Sequence, residues 1–209
     1  MPAEPSIKKT IAFIDGQNLF HSVKAAFSYT YPNYDPLALS RGVCALNGFH
    51  LESVRFYTGV PDITDNMFWH EFWRKKLQFL GTRGIITYSR PLKYRDTLIK
   101  LKDRTISSVP VGQEKGIDIR IALDIVRLAI DKAYDVALIF SQDQDLSEAA
   151  DEVRKISIQQ GRWIKTACAF PISPAINKSR GINKTDWIRF DKALYDKCID
   201  SNDYRPKEI

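Results

Sequence analysis

The sequence predicts an α/β fold of three layers, with helices on both faces of a mostly parallel central sheet, and two observations predict it. Short apolar runs of strand length alternate with longer segments whose apolar residues recur at helical spacing. Three acidic motifs, far apart in the chain, stand beside such runs: Ile-Ala-Phe-Ile-Asp-Gly-Gln-Asn at 11–18, Lys-Gly-Ile-Asp at 115–118, and Ala-Leu-Ile-Phe-Ser-Gln-Asp-Gln-Asp at 137–145. In an open α/β sheet the carboxyl ends of parallel strands open onto one crevice, where ligands bind.

Taken in order, residues 1–9 read as a frayed leader, since Pro2 and Pro5 oppose regular structure. Residues 10–15 form an apolar run closed by Asp-Gly, as in a buried parallel strand, and Gly16 lets the chain turn after it. A helix over 18–27, an aromatic loop over 29–36, a helix over 37–47 and a strand over 51–58 follow. Phe68, Phe72, Leu77 and Phe79 amid charges give an amphipathic helix over 65–80, stopped by Gly81 and Gly84. A third strand covers 85–89. Residues 90–104 lack an apolar period and set Arg90, Lys93, Arg95, Lys100, Lys102 and Arg104 against Asp96 and Asp103, which reads as a loop or solvated ribbon. Helical spacing returns over 118–132 through Ile121, Ala122, Ile125, Leu128 and Ala129. A strand over 136–140, a helix over 146–160 ended by Gly161, and a strand over 163–170 continue the alternation. A loop over 171–181, an edge strand over 187–190 and a tail helix over 191–199 complete it. With no internal repeat or linker, the chain divides into a leader (1–9), one domain (10–190) and a C-terminal helix and tail (191–209).

At 209 residues and 44% apolar, the chain can bury one substantial core. Its net charge is +6, and acids gathered into one cleft would leave the remaining surface more basic still. That suits a polyanion such as nucleic acid, although an ordinary basic surface explains the net charge equally well. Cys44, Cys168 and Cys198 are odd in number and lack ligand spacing, which fits a reducing cytosol. His21, His50 and His70 are scattered, which argues against zinc. No charged-then-apolar leader opens the chain, and no apolar run approaches the roughly 20 residues that span a bilayer. The expectation is a soluble cytoplasmic protein with no membrane role.

Asp15 closes a strand, and Asn18 either caps the next helix or orients Asp15; an Asx turn with an N-cap needs both residues and no chemistry. Asp118 opens a helix, where the helix dipole favours a carboxylate, and it lies toward the core-facing side. Asp124 is placed on the other face, in a solvated ion-pair cluster with Arg120 and Arg127. Of Asp143 and Asp145, one caps the next helix and the other faces the crevice. Ser141 binds a phosphate or satisfies the turn. Carboxylates delivered to one crevice repel one another unless a cation sits between them, so the pattern reads as a divalent-metal site.

The string Phe-Ile-Asp-Gly-Gln-Asn at 13–18 resembles the opening signature of NYN domains, which belong to the PIN-like nuclease superfamily. The likeness continues through Lys-Gly-Ile-Asp-Ile-Arg-Ile-Ala-Leu-Asp at 115–124 and Tyr-Asp-Val-Ala-Leu-Ile-Phe-Ser-Gln-Asp-Gln-Asp-Leu at 134–146. It spans residues 8–170 or so, in the family's order. The resemblance implies a PIN-like fold and a metal-dependent ribonuclease. Asp15, Asp118, Asp143 and Asp145 would be its catalytic and metal-binding centre around Mg²⁺ or Mn²⁺, supported by Asn18, Ser141 and Asp124, whose position is frequently acidic in the family. The chain departs from the pattern at Gln142, where the family usually has Gly, and at Leu146, where it usually has Phe. A Gln at the crevice narrows access to the backbone.

The leading expectation is an endoribonuclease that hydrolyses RNA phosphodiester bonds, and the alternative is a catalytically silent NYN-like module that binds RNA or recruits a partner. A phosphatase or nucleotide-binding domain fits less well, because no Gly-rich phosphate loop or Asp-x-Asp pair follows the first strand. Lys115, Lys93, Arg95 and Lys100 are the candidate substrate-binding cations, with Tyr88 and Tyr94 available to stack on bases. Trp69 and Trp73, four apart on one helix, read as core or an interface patch ahead of a base platform. The expected partner is nucleic acid, RNA ahead of DNA, and a homo-oligomer is compatible with the sequence.

Overall fold

The computed structural model describes residues 2–100, 106–174, 176 and 180–206. β1 (Lys9–Asp15) leads into α1 (Gly16–Phe27) and α2 (Pro36–Leu46), followed by β2 (His50–Val60), α3 (Met67–Thr82) and β3 (Ile86–Pro91). Two further strands, β4 (Lys93–Lys100) and β5 (Ile106–Gln113), precede α4 (Ile117–Ile130) and β6 (Val136–Phe140). The chain closes with α5 (Ser147–Gln160), β7 (Lys165–Pro171), β8 (Asp186–Phe190) and the short α6 (Lys192–Asp196).

The central sheet has six strands in the order β3-β2-β1-β6-β7-β8, every neighbouring pair parallel. Successive residues of a strand face opposite sides, and here both sides are buried. Ala12, Ile14, Phe56, Leu138 and Phe140 pack with α1, α2 and α3. Ile11, Phe13, Ala137, Ile139 and Cys168 pack with α4 and α5 on the other face. This is the three-layer α/β/α arrangement the sequence predicts, and β8 is its predicted edge strand.

From β1 the chain builds outward to β2 and β3, then returns to lay β6 on the other side of β1. The strand order therefore reverses between β1 and β6. At such a switch point the connections leave toward opposite faces and open a crevice at the carboxyl ends of the two strands.

Several expectations are corrected. Within 90–104, expected as a loop or a solvated ribbon, Lys93 to Lys100 form a strand that pairs antiparallel with Ile106 to Gln113. The hairpin stands apart from the main sheet, so burial imposes no apolar alternation on it, and Arg95, Asp96 and Thr97 are exposed. The side chain of Lys100, together with Lys102, Asp103 and Arg104, lies outside the described residues. Gly81 does not stop α3, which runs on to Thr82; Gly84, at φ +77°, carries the turn beyond it. Gly16 is not needed for a left-handed turn. A Cβ there would stand 2.6 Å from the Phe56 ring, so glycine lets α1 start hard against β2.

The C-terminal segment is built into the core. Tyr195, Cys198 and Tyr204 are buried, the Asp35 N–H donates to Cys198 O, and the Asp200 N–H donates to Asn33 O. Among the described residues no helix is long and apolar enough to cross a membrane.

Candidate acidic active site

Asp15 is the last residue of β1 and also the N-cap of α1: the Asn18 N–H donates to its Oδ1 at 3.0 Å. It is 5% exposed, and the Ser141 hydroxyl, at the end of β6, lies 3.4 Å from its Oδ2. Burial pushes the Asp15 carboxyl up to about 6, with the charges of Asp143 and Asp118 adding to the rise and the Asn18 and Ser141 hydrogen bonds opposing it. Asn18 does not cap α1. Its Oδ1 instead accepts the Gln142 N–H at 2.8 Å, tying the start of α1 to the turn after β6.

That turn is compact because its own side chains satisfy it. The Asp143 N–H donates to Ser141 Oγ at 3.2 Å, and Asp143 Oδ1 accepts the Asp145 N–H at 3.0 Å. Asp143 thus both caps the turn and bears on Asp15, the two roles the sequence divides between Asp143 and Asp145. Asp145 is exposed. Gln142 Nε2 donates to Arg180 O at 2.7 Å, joining the turn to the segment before β8.

Glu114 is the residue the sequence reading missed. Burial pushes its carboxyl up to about 8, with Asp15 and then Asp118 adding repulsion against a hydrogen bond donated by the Gly59 N–H to its Oε1. Gly59 has no room for a side chain, because a Cβ would fall 2.7 Å from Glu114 Cγ. Glu114 follows β5, and Gly116, at φ +74°, turns the chain into α4 so that Asp118 comes up in its first turn. The available signal was adjacency, since Glu114 directly precedes the Lys-Gly-Ile-Asp motif.

Asp124 is elsewhere. It is 6% exposed on the sheet-facing side of α4, where it accepts the Tyr57 hydroxyl at 2.8 Å and pairs with Arg120 at 3.0 Å and Arg55 at 3.5 Å. The expected solvated cluster is a buried one, and Arg127 pairs with Asp131 instead. Arg120 also lies over the Tyr88 ring, 5.1 Å from its centroid, which accounts for a ring the sequence offered to a base.

Asp15, Glu114, Asp118 and Asp143 therefore share one electrostatic field. Among the described residues, no three His, Cys, Asp or Glu side chains close to the distance that would encage a metal ion. The donor set nevertheless fits Mg²⁺ or Mn²⁺, which take hard oxygen ligands, and Mg²⁺ commonly keeps several waters while using only one or two carboxylates. Burial is the main cause of the raised Asp15 and Glu114 carboxyls, and the neighbouring carboxylates add a smaller repulsion that a cation would relieve.

Glu114 and Asp118 line a groove of about 680 Å³ together with Arg90 and two of the candidate cations, Lys93 and Lys115. Arg95 is exposed on β4 and does not line the groove. Arg90, which does, is held by its Nε–H donating to the Tyr88 hydroxyl at 2.7 Å.

The family model of the NYN domain matches residues 9–160, from β1 to the end of α5. Among curated proteins no sequence matches the chain. A solved structure of a protein of unknown function from Vibrio parahaemolyticus is similar in fold, at 18% identity and a TM-score of 0.53, covering 91% of this chain and 97% of that one. A deacetylase–teicoplanin complex (12% identity, TM-score 0.32, covering 76% of this chain and 68% of that one) and MurG from Acinetobacter baumannii (8%, 0.31, 87% and 45%) are too distant to carry an argument. With the three-layer fold and the matched span together, the chain belongs to the NYN domain family, within the PIN-like nuclease superfamily.

Proposed function

We propose that this protein is a divalent-metal-dependent endoribonuclease that hydrolyses RNA phosphodiester bonds in the groove beside Asp15. One observation carries the reading: the charges of Asp118 and Asp143 converge on Asp15, and those of Asp15 and Asp118 on Glu114, where Arg90, Lys93 and Lys115 line the adjoining wall. Structural carboxylates are ordinarily paired with cations or hydrogen bonds, and holding buried Asp15 among the half-buried Glu114, Asp118 and Asp143 is costly unless the site has a task.

Asp15, Asp143, Asp118 and Glu114 would hold Mg²⁺ or Mn²⁺. The bound ion would supply an activated water and neutralise charge on the scissile phosphate. Lys93 and Lys115 grip the non-bridging phosphate oxygens, and Arg90, fixed on Tyr88, presents a planar fork to the next phosphate. Ser141 and Asn18 hold the β1 and β6 ends in register, so Asp15 and Asp143 keep their separation. Before an ion binds, Glu114 carries its proton near neutral pH and can donate it as a hydrogen bond to a phosphate oxygen. The three free cysteines are all buried and suit a cytoplasmic site of action.

The reading is tested by incubating the protein with labelled single-stranded and structured RNA and DNA in Mn²⁺, Mg²⁺ or chelator. Internal cuts in RNA that need the metal support it. RNA bound but uncut under every condition would instead favour the silent binding module.

A further inference from the structure

Beside the acidic groove a second cavity, of about 320 Å³, opens between α1, α3 and the hairpin. Its walls include Phe20 from α1, Trp69 and Trp73 from α3, and Tyr94 from β4. Aromatic residues at helical spacing are ordinarily absorbed by the core. Trp73 is, at 5% exposed and edge-on to Phe72. Trp69 is only partly absorbed. It packs edge-on against Phe72 at 5.2 Å and Phe68 at 5.3 Å and still lines the cavity.

The partition between this cavity and the carboxylates is thin. Gln17, two residues past Asp15, lines the cavity and donates from Nε2 to Gly59 O at 3.3 Å, while the N–H of the same Gly59 serves Glu114. Leu92 fills the remaining gap, its methyls 2.4 Å and 3.0 Å from where Cβ atoms on Gly59 and Gly112 would stand. A cationic, acid-lined groove and an aromatic pocket therefore share one wall. That is the arrangement a polynucleotide strand needs, a charged track for phosphates with a π surface for a base beside it.

We propose that the cavity takes one unpaired nucleobase of the strand whose backbone lies in the acidic groove, so that the substrate is single-stranded next to the cleaved linkage. The position of the phosphate rests on the nuclease reading above; the base pocket itself does not. Trp69 and Tyr94 provide ring faces, and Gln17 provides an amide within reach of a base edge. A base held in a duplex cannot enter, because its faces are stacked on its neighbours and its edge is paired. Trp69 then serves as a base platform as well as packing, the role the sequence ranked second.

The test is equilibrium binding of a fluorescein-labelled single-stranded oligoribonucleotide, and of the same strand annealed to its complement, to the full chain in chelator. Trp69→Leu and Tyr94→Leu should each weaken single-strand binding about ten-fold, the scale of losing one base–aromatic stack, and leave duplex binding unchanged. Tyr94 is on the hairpin outside the core, so Tyr94→Leu keeps the test sound if Trp69→Leu fails to fold. Either folded variant binding the single strand as tightly as the wild type overturns the pocket, and so does a wild type that binds duplex as tightly as single strand. Cleavage in Mn²⁺ is scored separately. Discriminating binding without cleavage removes the nuclease reading and leaves the pocket, whereas cleavage by both variants with an undiminished preference for single strands removes the pocket and leaves the nuclease.

Discussion

Asp15 and Glu114 differ in how they can be read, although they act on the same small region. Asp15 announces itself, because an apolar run that ends in Asp-Gly-x-Asn needs the acid at a strand end. Glu114 follows the uncharged run Ile106–Gln113 and belongs to no apolar period, and its burial arises only when Gly59 and the hairpin come together in space. Both carboxyls are held above their ordinary values, near 6 and near 8, chiefly by burial. The folded, metal-free chain thus keeps protons that the unfolded chain has released. Their contribution is complete below the unfolded values and is lost as pH rises through about 6 and then about 8. In chelator, the melting temperature should fall between about pH 5 and pH 8.5 for this reason. Glu114→Gln should flatten the upper part of that fall and stabilise the metal-free protein at pH 8 by on the order of 2 kcal/mol. Mg²⁺ should stabilise the wild type more than the variant at that pH. Parallel melting-temperature curves for the two proteins would show that Glu114 is not held protonated by the fold.

At the scale of elements, the sheet strands and their helices were legible because each buries a face and so carries a period. The hairpin was not. Its strands are joined by backbone hydrogen bonds, and among its described side chains Lys93 lines the groove and Tyr94 the neighbouring cavity instead of filling a core, so pattern gives no warning of it. The partners of Asp124 were half legible: Arg120 is a helical neighbour, but Arg55 and the hydrogen-bonding Tyr57 come from β2. What the hairpin contributes to binding can be measured through salt. Replacing Lys93 and Lys115 together with Ala removes two groove cations and should reduce the slope of log affinity against log salt for single-stranded RNA by about 1.4, at roughly 0.7 per phosphate contact. Arg95→Ala, outside the groove, should alter the slope by less. A double variant with an unchanged slope would mean that the strand runs elsewhere.

The whole molecule places its chemistry by topology. Reversing strand order between β1 and β6 brings Asp15 beside Ser141 and Asp143, across 126 residues of sequence for the Ser141 contact. The same topology makes the C-terminal segment structural. Buried Lys76 donates to Pro32 O at 2.9 Å and Tyr34 O at 2.8 Å, lies over the Tyr204 ring and sits 3.8 Å from Asp200. A chain ending at Phe190 would lose Tyr195, Cys198 and Tyr204 from the core and leave Lys76 without its carboxylate. Such a truncation should lower the urea midpoint sharply, by several kcal/mol in stability, as expected for removing buried aromatics and a buried charge partner. An unaltered midpoint would show that the segment is dispensable. From sequence it read as a tail beyond the domain, since a short helix among charges shows no sign of the core it joins.

The most direct test of the acidic centre is Asp143→Asn assayed for cleavage of single-stranded RNA in Mn²⁺, beside the wild type with and without chelator. This substitution keeps the cap to the Asp145 N–H and removes only the charge that bears on Asp15. The expected result is metal-dependent cutting by the wild type and loss of at least a hundred-fold in rate, about 2.7 kcal/mol, in a variant with an unchanged melting transition. A folded Asp143→Asn protein that still cuts RNA at the wild-type rate would contradict the assignment of this centre.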